Sequence, residues 1–189
     1  MDIVSSRNTL VRSMHDVGAA VWLGGALMGA VGLNGAASDI KDQRQRAEIA
    51  ADGWARWAPV NAAAIGTHLI GGLGLLVANR HRIRGQKGVT ANTAIKTMIT
   101  GAAVATTAYS GVLGARIASA RRNADALAAT TPTSETPDDV ATAQRQLRGL
   151  QWMTPALAVG IVLLGSQQGE QQRPTHVVAG FARKLRVRS

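Results

Sequence analysis

Few of the 189 residues have the types and placement to do chemistry, and the chain has four His and no Cys. His15 and His68 lie within apolar stretches; Asp16 follows His15, Arg12 precedes it by about one helical turn, and Lys96 stands near the start of a third apolar stretch. An ionisable group inside an apolar span is a functional candidate by default, because keeping it there needs a partner. Two imidazoles on neighbouring helices suit haem b or copper. Alternatively, each ring bonds a neighbour such as Asp16, Thr67 or a main-chain carbonyl and only ties helices together. His15 sits near one end of its stretch and His68 nearer the middle of its own, which sets the rings about one helical turn apart in depth. Arg12, Asp16 and Lys96 read either as a cluster anchoring helix ends or as a proton entry site. Tyr109 and Ser110 can bond between helices, while His81 and His176 sit in basic segments that face solvent or headgroups.

The absence of Cys excludes disulfides, thiolate metal sites and Cys nucleophiles. There is no phosphate-binding Gly loop, no H-E-x-x-H and no G-x-S-x-G, so no enzymatic activity is expected.

Four hydrophobic stretches must position the two histidines. They cover about residues 14–35, 57–77, 91–115 and 150–165, each bounded by polar sequence. Their lengths predict transmembrane helices, the fourth being the shortest. The expected fold is all-α, one domain, an integral membrane four-helix bundle. Trp54, Trp57 and Trp152 mark interfaces, and Pro59 and Pro155 fit first helical turns. Asn8 or Thr9 can cap the first helix, and Lys96 can snorkel to the surface. Residues 38–56 read as a partly helical surface segment. Residues 116–129 extend the third helix, a turn-rich break follows, and Pro137 opens a short helix to Leu150. The tail, residues 173–189, carries Arg183, Lys184, Arg186 and Arg188 among apolar residues. It suits an amphipathic helix on an anionic lipid surface, or a disordered basic tail.

Small residues line these stretches. Gly25 and Gly29 stand four apart on the first; Ala63, Thr67 and Gly71, then Ala64, His68 and Gly72, form stripes on the second. Ala103, Thr107, Gly111 and Ala115 line the third, and Ala156 and Gly160 the fourth. Lipid gives apolar helices no hydrophobic reason to associate, so close approach at small residues must do so. A tight bundle with little internal cavity follows, unless some stripes meet another protein.

The formal charge is +10, with 17 of the 21 basic residues Arg. These residues flank hydrophobic segments, so they read as topology determinants and not as a nucleic-acid surface. With four spans, the side holding both termini and residues 79–90 carries a net +9 against +1 opposite. Both termini are therefore expected in the cytoplasm. The Ala, Gly and Arg bias points to a GC-rich bacterial genome of actinobacterial type, and the location to the bacterial cytoplasmic membrane. The first stretch is not followed by a clean cleavage site, so it is not read as a signal peptide.

His15 to Gly25, H-D-V-G-A-A-V-W-L-G-G, resembles the first helix of copper-resistance protein D-like membrane proteins, with a His seven residues before W-x-G-G. His15, Trp22, Gly24 and Gly25 match over eleven residues. The resemblance implies a bacterial inner-membrane bundle that handles copper or haem, with His15 as a ligand. The residues themselves favour a non-enzymatic multi-pass protein, an accessory or stabilising subunit of a larger membrane complex. Its partners would be lipid, anionic headgroups and other membrane subunits, and no nucleic acid. The alternative is a haem b- or copper-binding redox protein using His15 and His68.

Overall fold

A computed structural model describes residues 3–80, 87–121, 132 and 136–170, and among these there is no strand. Helix α1 (Ile3–Leu27) continues through a π-helical turn (Met28–Leu33) into the short α2 (Asn34–Ser38). Helices α3 (Gln43–Ala78), α4 (Lys87–Arg121) and α5 (Asp138–Glu170) follow. Four segments, Thr9–Ser38, Arg44–Ala78, Thr90–Ala120 and Asp138–Gln167, are long and apolar enough to cross a membrane.

Each helix runs past its apolar stretch. The polar residues 43–56 belong to α3, which starts where the Asp42 carboxylate caps it by accepting from the Gln45 N–H at 2.8 Å. Pro59 and Pro155 consequently lie deep inside α3 and α5, not in first turns. The expectation equated the start of the apolar stretch with the start of the helix, and Ala, Gln and Arg carried the helix further back. Likewise the short helix expected from Pro137 and the fourth apolar stretch are one helix, α5. Asn8 and Thr9 lie inside α1, which begins at Ile3, so neither caps it. The basic tail, with Arg183, Lys184, Arg186 and Arg188, lies outside the described residues, as do His81 and His176.

The helices form two antiparallel pairs, α1 with α3 and α4 with α5, joined chiefly where α1 meets α5. The α3 and α4 helices scarcely touch. One apolar core fills the centre: Ala19 and Trp22 of α1, Ala103 of α4 and Ile161 of α5, flanked by Ile65, Ile99, Val104 and Leu157. Trp22, fully buried, donates its indole N–H to the Thr107 hydroxyl at 3.2 Å, linking α1 to α4. A second core, Leu113, Ile117, Val140 and Ala143, ties the end of α4 to the start of α5.

The π turn has a visible consequence. The Asn34 N–H bonds the Gly29 carbonyl, five residues back, which brings Asn34 over the face that Gly29 occupies. There the Trp54 indole lies against Gly29 and donates to the Asn34 Oδ1 at 3.0 Å. The Asn34 amide donates to Gln151 of α5 at 2.8 Å. Trp54, Trp57 and Trp152 thus gather at one end of the bundle. Trp152 is exposed, while Trp54 and Trp57 are half-buried, folded onto Gly29 and Gly25.

Candidate functional site

His15 and His68 meet face to face between α1 and α3, with no offset in depth left between them. Their rings stack with centroids 3.9 Å apart and planes 21° from parallel. His15 Nδ1 donates to the His68 carbonyl at 3.0 Å, and His68 Nδ1 donates to the His15 carbonyl at 2.8 Å. Carbonyl oxygen only accepts, so Nδ1 carries a hydrogen on both rings, and in the neutral form of each ring Nε2 keeps the lone pair.

Glycine makes this approach possible. A Cβ on Gly18 would sit 2.6 Å from the Ala64 carbonyl oxygen and 2.6 Å from the His68 nitrogen. A Cβ on Gly71 would meet the Val11 oxygen at 2.6 Å and the His15 nitrogen closer still. Gly18 lies against Ala64 and His68 as Gly71 lies against Val11 and His15, so Val11 corresponds to Ala64, His15 to His68 and Gly18 to Gly71, each 53 positions on in the chain. Each helix therefore contributes the same His-x-x-Gly unit, and a local two-fold relates the two. Gly72 completes the seat of the His15 ring: a Cβ there would lie 3.2 Å from Nδ1. The repeat was legible in H-D-V-G and H-L-I-G. Single-helix stripes of four-residue spacing obscured it, because the informative spacing is three and spans two helices.

Other candidates divide between the inside and outside of the bundle. Gly25 and Gly29 seat the Trp57 and Trp54 rings, and Gly160 meets Ile99 at ordinary contact. Gly111 has nothing near it and faces outward. Lys96 does not snorkel: it is 9% exposed and turned inward, its ammonium 3.2 Å from where a Gly165 Cβ would stand. Asp16 is exposed at the same level. The Lys96 charge lies within electrostatic reach of Asp16, Arg12 and both imidazoles. Sequence reading missed Asn92, buried one turn from Lys96, whose amide reaches Gln167 at 3.5 Å.

The arrangement suits some chemistries and not others. A haem held by two axial imidazoles needs its macrocycle between them. Rings stacked face to face at 3.9 Å leave no space for one, so the pair does not fit bis-histidine haem ligation in this form. A single Nε2 is better prepared, since a ligating His commonly donates its other ring N–H to a carbonyl. The described residues contain no group of three or more His, Cys, Asp or Glu side chains placed to hold a metal ion.

Comparison with protein families, with curated proteins and with solved structures returns no match.

Proposed function

We propose that the chain is a non-enzymatic, multi-pass protein of the bacterial cytoplasmic membrane, a stabilising subunit of a larger membrane assembly, with both termini in the cytoplasm. The observation that carries this reading is the outward face of α4. Ala94, Gly101, Ala105, Ala108 and Ala115 are all exposed there, at alternating three- and four-residue steps or their sum. Nothing lies within 4 Å of a Cβ added at Gly101. Only 17% of the most apolar part of this helix is buried within the bundle. Small side chains on a lipid face offer little contact to acyl chains but let another helix come close.

The test is recovery in mild detergent followed by crosslinking and native electrophoresis. The protein should run within a larger complex, and Gly101→Leu with Ala108→Leu should release it while leaving it folded. Migration as a lone chain, with no protein crosslinked to it, overturns the reading.

A second reading has its own support. Both histidines hold the Nδ1–H···O=C bond typical of metal ligands, and the first helix resembles copper-resistance protein D-like proteins. The chain would then bind copper, or haem through one imidazole Nε2. Absorption spectra of oxidised and reduced protein, with metal analysis, test it. Cofactor content unchanged in both His15→Ala and His68→Ala would sink it.

A further inference from the structure

Among the described helices the one π-helical turn is Met28–Leu33, at the end of the bundle that holds Trp54, Trp57 and Trp152. Such turns are rare, occur mostly as a single turn inside an α-helix, and are frequent at functional sites. Here the contacts that select it are explicit, and they come from two other helices. Asn34 Oδ1 accepts from the Trp54 indole of α3 at 3.0 Å, and the Asn34 amide donates to Gln151 Oε1 of α5 at 2.8 Å. Leu33 covers Gly53 of α3, where a Cβ would lie 2.6 Å from each Leu33 methyl carbon.

None of these contacts belongs to the α-helical register. An uninterrupted α-helix would carry Leu33, four residues on, over the Gly29 face that Asn34 now occupies. Everything beyond would turn by about 100°, the rotation of one residue. Leu33 offers the Trp54 N–H no acceptor and Gln151 no donor. Gly32, arriving where Leu33 was, would leave Gly53 uncovered. The chain thus has two arrangements at this point. The α register gains the ordinary backbone bonds to the fourth residue back. The π register gains the two Asn34 bonds and the Leu33 packing.

Gln151 gives the turn a reach beyond its own neighbours. Among the described residues it makes no hydrogen bond to α3, and its bonded route to α3 runs through Asn34. A contact made in only one of two packings shifts the balance between them by the free energy of that contact.

We propose that the π turn is a two-register latch set by the docking of α5. With α5 in place, Gln151 holds Asn34, the turn is π-helical and Leu33 rests on Gly53. With α5 drawn away, Asn34 loses one of its two partners, the turn reverts to the α register, and α1 and α2 lift from α3 at this end. The His15–His68 contact lies 14 residues before Gly29 on α1, ~21 Å away, and stays closed.

The full chain in mild detergent tests this by disulfide trapping between cysteines placed at Leu33 and Gly53. A separate pair at Val11 and Gly74 reports that α1 and α3 are otherwise joined. Gln151→Leu and Asn34→Leu should each slow trapping at Leu33 and Gly53 about three- to tenfold, the scale of one hydrogen bond between helices. The double variant should be no slower than Asn34→Leu, and trapping at Val11 and Gly74 should not change. Deleting Gly32 gives the decisive background. The α register then places Asn34 over Gly29, the two arrangements become one, and Gln151→Leu should no longer slow trapping. If the deleted chain fails to fold, seen as lost trapping at Val11 and Gly74, the single and double variants decide alone. Unchanged trapping at Leu33 and Gly53 in Gln151→Leu overturns the proposal, as do additive losses in the double variant. So does an equal slowing by Gln151→Leu in the folded, Gly32-deleted chain, or a parallel loss at Val11 and Gly74 in the single variants.

Discussion

His15 and His68 each make two contacts with the same partner, a main-chain bond and a ring stack. Hydrogen bonds between helices in lipid contribute roughly 0.6–2 kcal/mol, and the stack adds packing. His15→Ala and His68→Ala should each destabilise the fold by about 1–2 kcal/mol in detergent unfolding titrations. Because the stack is shared, the double variant should lose less than the sum, by about 0.5–1.5 kcal/mol. Strict additivity would mean that the rings do not act as a pair. Trp22→Phe isolates a different bond, retaining the buried ring but losing the N–H to Thr107. A loss of about 0.5–1.5 kcal/mol is expected in the same titration. Both histidines were readable as candidates from one feature, a titratable ring in an apolar stretch. Their mutual bond was not readable, since it runs to backbone atoms that any sequence possesses.

At the scale of the element, α1 and α3 come together because Gly18 and Gly71 have no side chain. Gly18→Val or Gly71→Val would put a Cβ far inside contact distance of the opposing backbone, which cannot yield as a side-chain tip can. The helices must separate, so each change should cost about 1–3 kcal/mol or more, and both stacked rings should lose their carbonyl partners. Disulfide trapping between cysteines placed at Val11 and Gly74 reads this directly. A Cβ at Gly74 would lie 2.7 Å from Val11 Cγ1, so the two positions are neighbours in the native pair. Efficient trapping should fall sharply in the Gly71→Val background, and unchanged trapping would show that the close approach is not needed. Gly24, by contrast, meets nothing within 4 Å although it belongs to W-x-G-G, so Gly24→Ala should leave stability within about 0.5 kcal/mol. Equal spacing in sequence thus conceals unequal roles, because only the partner helix decides which glycine is approached.

For the whole molecule, four helices of spanning length place the two ends of the chain on the same side if each crosses once. The proposed topology assigns that side to the cytoplasm on the charge asymmetry. The natural absence of Cys allows single cysteines to report this without background. Ser6→Cys should react with an impermeant maleimide only after the cells are opened, while Asp39→Cys, in the exposed turn before α3, should react in intact cells. The reverse pattern would invert the topology, and labelling of both in intact cells would end the four-span reading. The exposed apolar residues on all four long helices, among them Val31, Leu73, Met98, Val112 and Leu163, are what such a protein shows to lipid.

Residue types alone determined that the chain would be helical and would have four apolar stretches. Hydrophobic length and the distribution of Arg are local properties, readable without knowing any neighbour. The same reading found His15, His68 and Lys96 as the ionisable groups in apolar sequence. Only the tertiary structure decided that the two histidines share one level, that Lys96 points inward, and that Trp54 and Trp57 cover glycines of α1. Each of those outcomes depends on how far one helix slides and rotates against another. That register is set by backbone-to-backbone approach at Gly18 and Gly71 and by the five-residue turn that carries Asn34 to Trp54. Those contacts join residues 20 to 60 positions apart, and no single apolar stretch contains both partners.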